Sequence, residues 1–268
     1  MRVLVVTAVP AERDAVAAAF TAAAFTAAEH TIPGAVLHRL TALPADRPPA
    51  PGPGPDRGTP VRRPLGLDLL AGGVGPAAAA ASTATALTAA TLTAAGSAGA
   101  PYDVVVCAGI GGGFTPDAPL GTLVLADGII VADLGAETPE GFAPVTELGF
   151  GTVTHRPPES LVREIAAVTG ARTGTVLTVS TVTGTAGRAA ELRRRHPRAL
   201  AEAMEGFGVA EAAAAHGVPV LEIRAVSNPV GPRDRAAWRI GDALAALTGA
   251  FGKLAPVLES WNPHDRIR

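Results

Sequence analysis

The 268-residue sequence is short of several things, and each shortage closes a class of explanation. Its one cysteine, Cys107, cannot make an internal disulfide, which suits a reducing compartment. Its one lysine, Lys253, and a formal net charge of -2 leave no basic surface of the kind that grips nucleic acid or an anionic membrane. His30, His38, His155, His196, His216 and His264 are scattered, with no His-x-x-x-His pair, so no metal site is expected. The spacing G-x-G-x-x-G is missing from both glycine-rich turns, which weighs against a nicotinamide cofactor. No cofactor of any kind is expected. Val3 to Val9 does not read as a secretory leader, because Glu12, Arg13 and Asp14 follow at once and no cleavage site comes after. The Ala/Thr-rich run from Pro76 to Ala95 is long enough for a bilayer but only weakly apolar, and reads as a buried helix. A cytoplasmic chain with no membrane partner is expected.

What is present is enough for a sizeable core: 48% of the residues are hydrophobic. Val-rich or apolar runs at Arg2 to Ala8, Leu65 to Ala71, Tyr102 to Ala108 and Gly121 to Ala132 read as buried strands, and Thr173 to Thr183 as another. His38 to Leu43 reads as a further strand. Helical patterns follow at Pro10 onward (with Val16, Ala19 and Phe20), at Pro76, at Leu161 to Val168, at Ala186 to His196, at Ala210 to Pro219 and at Arg233 to Leu254, the last ended by Pro256. Asp133 to Glu147 reads as a polar loop. Pro44 to Pro64, dense in Pro, Gly, Asp and Arg, reads as a flexible surface insertion within a single domain spanning 1–268. Strands alternating with helices predict a three-layer α/β/α fold with a mixed, largely parallel central sheet.

Chemistry concentrates in two stretches. Met204-Glu205 precedes a helix start, and Asn228 ends the apolar run Glu222 to Val226, at the carboxyl edge where open α/β sheets collect ligands. Glu12 sits at the first strand-to-helix crossing. The plain readings are a dipole-favoured acid for each glutamate and a turn residue for Asn228 before Pro229.

Taken in order, Val9-Pro10-Ala11-Glu12, Gly72-Gly73-Val74-Gly75, Ala108-Gly109-Ile110-Gly111-Gly112, Gly121-Thr122-Leu123-Val124, Met204-Glu205 and Arg224-Ala225-Val226-Ser227-Asn228 resemble the purine nucleoside phosphorylase and nucleosidase superfamily. The resemblance runs from about Arg2 to Leu258 outside the insertion, and is closest to the futalosine hydrolases, a sister branch of the methylthioadenosine/S-adenosylhomocysteine nucleosidases. It implies hydrolysis of an N-glycosidic bond through a cationic sugar, with futalosine as the nucleoside and a place in menaquinone biosynthesis. It implies that Met204 packs on the ribose, that Glu205 accepts its 2′- and 3′-hydroxyls, and that Glu12 activates water. It also implies substrate contacts from Gly73, Gly109, Ile110, Gly111, Val182 and Phe207. Adenine-reading relatives carry Ser-Asp where this chain has Ser227-Asn228. An Asn presents NH₂ and C=O on one planar fork, which suits a 6-oxopurine and leaves the proton donor to the base unassigned. Arg233 and Trp238 are candidates for the aromatic carboxylate of futalosine, with a helix-core Trp and a surface Arg as the plain alternative. A methylthioadenosine/S-adenosylhomocysteine nucleosidase, a phosphorylase (kept open by Arg13) and a nucleoside-binding sensor without catalysis are the rivals. The loop Asp133 to Phe142 is expected to complete a neighbour's pocket in a homodimer or larger homo-oligomer.

Overall fold

Residue-by-residue alternation in the strands sorts side chains to two faces of one sheet. In the first strand Val3 and Val5 pack into one buried cluster, while Leu4 and Val6 pack into the other. The computed structural model describes residues 1–20, 24–43, 64–94 and 101–261. Its elements are β1 (Arg2–Thr7), α1 (Pro10–Ala17), β2 (Phe25–Ile32), β3 (Ala35–Ala42), β4 (Gly66–Ala71), α2 (Pro76–Thr93), β5 (Val104–Gly113) and β6 (Leu123–Val131). There follow β7 (Gly135–Thr138), β8 (Gly141–Pro144), β9 (Thr154–His155), α3 (Glu159–Thr169), β10 (Arg172–Thr178), α4 (Ala186–Arg195), β11 (Ala199–Ala203), α5 (Gly206–Ala215), β12 (Val220–Pro229) and α6 (Ile240–Ser260).

The main sheet runs β11-β10-β6-β12-β5-β1-β4-β3-β2. The pairs β1–β4, β1–β5, β12–β5, β10–β6 and β10–β11 are parallel, whereas β12–β6, β3–β4 and β2–β3 are antiparallel. One face is covered by α1, α3 and α6, the other by α2 and α5. This is the expected three-layer α/β/α arrangement with a mixed, largely parallel sheet. No helix among the described residues is long and apolar enough to cross a membrane.

Several expectations need correction. The glycines after Ala108 do not end β5; the strand runs on to Gly113, and Gly112 and Gly113 pair with β11, which bends the sheet back on itself. Without side chains these residues let neighbouring backbone come close, so an apolar run can continue as a strand where a turn was expected. The helix after β1 stops at Ala17, leaving Ala19 and Phe20 beyond it. Two strands had no clear pattern: β2, whose exposed face carries Thr, Ala and Glu, and β11, which is mostly alanine. The Asp133 to Glu147 stretch contains the hairpin β7–β8. The strand expected to reach Thr183 ends at Thr178. The helix expected from Ala210 begins at Gly206. The C-terminal helix begins at Ile240 and continues through Pro256 to Ser260, because Leu254, Val257 and Leu258 are held in the core on either side of the proline. The Pro44 to Pro64 insertion lies outside the described residues, apart from Pro64.

Candidate active site

At the carboxyl edge, the ends of β1, β5, β11 and β12 enclose a cavity of about 460 Å³. Glu12, Met204, Glu205 and Asn228 line it, as do Ile110, Gly111 and Val182, with Arg233 and Trp238 at one side. Gly73, Gly109 and Phe207 do not line it. Phe207 is turned into the core, where its amide donates to Thr178 Oγ1 at 2.8 Å and its ring lies 5.2 Å from that of His155. Gly109 lies beneath the site: a β-carbon there would fall 2.5 Å from Glu12 Oε1 and 2.7 Å from Arg224 Nη1. Its role is to leave room for those two charged groups.

Glu12 is buried, yet it touches no side-chain donor in the described residues. Its Oε2 accepts from the amides of Ala8 and Val9 at 2.9 and 3.3 Å, and its Oε1 accepts from the Ile110 amide at 2.8 Å. The plain reading as a first-turn acid therefore covers part of its bonding, but the Ile110 contact ties it across to β5. Glu205 stands at the N-terminus of α5 without capping it through its side chain. Its Oε1 accepts from Gly75 at 3.2 Å and its Oε2 lies 3.3 Å from Arg224 Nη1.

Arg224 is the member that the sequence reading left without a role. It is 1% exposed and reaches in four directions. Nε donates to Glu222 Oε1 at 2.9 Å, Nη1 approaches Glu205, and Nη2 donates to Cys107 Sγ at 3.0 Å. Nη1 also lies 3.5 Å from the carbonyl of Ile110. Burial opposes its charge, but Cys107, Glu222, Glu205 and Glu12 outweigh that and raise it above its ordinary range. Burial pushes the Glu222 carboxyl up, and its Oε2 has no partner. Gly206 admits that carboxyl: a β-carbon there would come within 2.2 Å of Glu222 Oε2. Burial also drives the Cys107 thiol well above its usual range, although the Arg224 charge beside it opposes that shift. The signal for Glu222 and Arg224 was present in the sequence: two charges at alternate positions of an apolar strand must share one face and must be paired.

The far end of the cavity is built differently. Ser227 Oγ donates to Asn228 Oδ1 at 2.9 Å, and Asn228 Nδ2 donates to the carbonyl of Pro229 at 3.0 Å. Trp238 is half-buried beside the cavity, outside α6, with the Arg233 guanidinium 5.4 Å from its ring centre. The alternative that Trp238 is core on the last helix does not hold. Arg13 is turned away to Asp14 at 2.7 Å and does not line the cavity.

Other concavities are as large or larger. One of about 500 Å³ surrounds Asp68 at the amino edge, and one of about 630 Å³ is lined by Asp127, Arg156 and Arg198. Neither gathers buried carboxylates with open acceptor capacity at the ligand edge of the sheet, so the 460 Å³ cavity is the candidate site. Among the described residues no group of His, Cys, Asp and Glu is arranged to hold a metal. A cavity lined by three buried carboxylates, Glu12, Glu202 and Glu205, with apolar walls, favours a ligand that is neutral and hydroxyl-rich or becomes positive during reaction.

A family model for the phosphorylase superfamily matches residues 69–255. A futalosine hydrolase of Streptomyces coelicolor is 67% identical over 266 residues, covering 99% of this chain and 100% of that protein. A futalosine hydrolase of Thermus thermophilus is 37% identical over 159 residues, 58% of this chain and 70% of that one. Among solved structures, an S-adenosylhomocysteine nucleosidase from Streptococcus pyogenes matches with a TM-score of 0.72 at 16% identity, covering 96% of this chain and 97% of that one. The futalosine hydrolase of Helicobacter pylori matches with a TM-score of 0.69 at 16% identity, covering 95% and 97%. At such identities these two structures speak for the fold alone.

Proposed function

The chain belongs to the phosphorylase superfamily, and from that premise we propose that it is a nucleosidase that hydrolyses the N-glycosidic bond of futalosine, releasing hypoxanthine. The observation that carries the chemistry is the balance of charge at the sugar end. Three buried carboxylates, Glu12, Glu205 and Glu222, are gathered about one guanidinium, Arg224. That surplus stabilises a sugar turning cationic as the C1′–N9 bond breaks, and it repels a phosphate dianion. Arg13, occupied by Asp14, offers phosphate no compensation.

In this reading Glu205 accepts the ribose hydroxyls and Met204 packs on the ring. Glu12 takes a proton from water as the water oxygen bonds to C1′. Arg224 holds Glu205 in place. Asn228 faces O6 and N7 of the base, while Arg233 and Trp238 meet the aromatic carboxylate. Its place is the cytoplasm, within menaquinone biosynthesis. A homodimer or larger assembly is supported by Leu134, Leu148 and Phe150, exposed by 43, 42 and 63% around the β7–β8 hairpin. Sedimentation would test it, with a monomer at micromolar concentration as the contrary result.

The deciding experiment measures free hypoxanthine from futalosine, inosine and methylthioadenosine, each with and without phosphate. Phosphate-independent release from futalosine is expected. Phosphate-dependent formation of a sugar 1-phosphate, or binding without cleavage, would overturn the reading. The base preference rests on Asn228. A 6-aminopurine leaves two donors opposed or forfeits the N7–H contact, which costs about 1–3 kcal/mol, or roughly ten- to hundredfold in kcat/KM. Asn228→Asp is expected to move preference toward 6-aminopurines, measured as the ratio of kcat/KM for futalosine and its 6-amino analogue. Equal wild-type values for the two substrates would remove Asn228 from the role.

A further inference from the structure

One carboxylate of the sugar-end cluster never reaches the sugar. Glu12 and Glu205 line the cavity, whereas Glu222 and Arg224 stand behind them and do not. Glu222 lies two residues before Arg224 on β12, so both side chains leave the strand on one face. The register sets Glu222 opposite Cys107 and Arg224 opposite Gly109 on β5, neither of which offers a countercharge. Glu222 is fully buried, and its only polar partner among the described residues is Arg224, whose Nε donates to Oε1 at 2.9 Å. Its Oε2 has none.

A carboxylate kept for stability alone is expected to satisfy both oxygens, as Asp68 does with Arg39 on Oδ1 and with Arg2 and Tyr102 on Oδ2. A buried ion left half-satisfied is costly. The same face of β12 carries Val220 and Val226 in the core, so an apolar residue would suit the position without that cost. What the charge of Glu222 acts on is Arg224, and through it the cavity. Arg224 Nη1 lies 3.3 Å from Glu205 Oε2. The place of a β-carbon on Gly109 is 2.7 Å from that nitrogen and 2.5 Å from Glu12 Oε1, so the same nitrogen stands close to both carboxylates that line the cavity. With its charge uncompensated, it would offset one of the two.

We propose that Glu222 is a positioning residue for cleavage of the glycosidic bond: it tethers Arg224 by Nε and offsets its charge, so that Glu205 and Glu12 keep theirs for the cationic sugar. The inference rests on the proposed nucleosidase reading. Three carboxylates against one guanidinium leave a surplus of two negative charges, and without Glu222 the surplus is one. The tether matters as well as the charge. Released from Glu222, Arg224 is free to close on Glu205 Oε2 and occupy an oxygen that the ribose hydroxyls need. Burial pushes the Glu222 carboxyl up, while the charge and the hydrogen bond of Arg224 favour its ionised form. A neutral sugar in the ground state feels the surplus weakly, and the sugar turning positive feels it strongly, so the effect belongs in kcat more than in KM.

The test joins kinetics on futalosine to the binding of two ribose analogues by calorimetry. One is an iminoribitol, whose ring nitrogen carries a proton at neutral pH, and the other is anhydroribitol, its neutral counterpart. Glu222→Gln keeps an oxygen for Arg224 Nε and loses the charge. Its kcat is expected to fall roughly tenfold with KM little changed, the scale of one charge acting across a protein interior. Its preference for the iminoribitol over anhydroribitol is expected to fall by a similar factor. Glu222→Asp retains the charge and is expected to keep more of both than Glu222→Gln. Equal weakening of the two analogues, an unchanged kcat, or a kcat lower in Glu222→Asp than in Glu222→Gln would overturn the proposal and leave Glu222 a structural group. Should Glu222→Gln not fold, Glu222→Asp decides alone: a preference retained with the charge sustains the proposal, and a preference lost despite the charge overturns it. If the wild type releases no hypoxanthine from futalosine, the nucleosidase reading itself has failed. Release with an unchanged analogue preference in Glu222→Gln fails this inference alone.

Discussion

The two edges of the sheet each bury carboxylate against guanidinium, with opposite results. At the amino edge a single carboxylate, Asp68, accepts from Arg2 at 2.8 Å, from Arg39 at 2.7 and 3.1 Å and from Tyr102 at 2.6 Å. Burial pushes that carboxyl up, but the Arg39 and Tyr102 hydrogen bonds and the charges of Arg39 and Arg2 outweigh it and hold it below its usual range. At the carboxyl edge the ratio is reversed. One guanidinium, Arg224, serves Glu222 and Glu205 directly, with Glu12 adding to its field, and Glu222 Oε2 is left without a partner. The same two chemical groups make a satisfied strut at one end and an unsatisfied, negative receptor at the other. Buried ion pairs are weak evidence of stability in general. What separates these two is which sign is in surplus and whether any acceptor capacity is left for a ligand.

Substitutions that remove a negative charge from each edge separate the two. The largest effect is expected from Glu12→Gln, which keeps the shape but removes the base. Its kcat is expected to fall on the order of 10²- to 10⁴-fold while the protein stays folded. Circular dichroism beside the kinetics checks this, and near-native turnover would show that the carboxylate serves only its backbone amides. The counterpart is Asp68→Asn. Removing one partner of a buried ion cluster costs about 3–5 kcal/mol of stability. Denaturant titration is expected to show that loss, with kcat/KM of the folded fraction unchanged. A kinetic defect at Asp68 would mean the two edges are coupled. Glu205→Gln comes next, with kcat lower by roughly a hundredfold, since charge facing a cationic sugar is lost but a hydrogen-bonding oxygen remains.

How much of this contrast was legible beforehand follows from the physics of each residue. The layered fold was legible because long apolar strands and an Ala-rich helix repeat their patterns over many residues. Glu12, Met204, Glu205 and Asn228 were legible because each stands by the start of a helix or at the end of a strand, and the sheet topology carries such positions to one edge. Arg224 and Glu222 were seen but not understood, because a charge inside an apolar strand says only that a partner exists and not where. Asp68 was no more readable: its partners Arg2, Arg39 and Tyr102 lie far off in sequence and meet only through the β1–β4–β3 pairing. Glu202 was hidden in a run of alanines too bland to announce a strand, and Gly112 looked like a turn. Both find their places only in the β11–β5 pairing.

The smallest expected effect sharpens the amino edge alone. Tyr102→Phe removes one donor from Asp68 and leaves Arg2 and Arg39 in place, so the carboxylate remains paired on both oxygens. A hydrogen bond to a charged group contributes about 1.5–3 kcal/mol, and the loss should fall in or below that range because the Arg2 bond to the same oxygen persists. The effect has a pH signature. Asp68 is held below its usual range when folded, so its stabilisation is present above the unfolded carboxylate pKa and lost as pH falls through the folded value. Without the Tyr102 bond the folded value moves back toward the ordinary one. The gap in stability between wild type and Tyr102→Phe is therefore widest near neutrality and narrows as the pH drops through the carboxylate range, with kcat/KM for the nucleoside the same in both. A constant gap across that range would mean that the hydroxyl contributes through packing and not through the charge of Asp68. A change in kcat/KM would mean that the satisfied edge of the sheet also tunes the unsatisfied one.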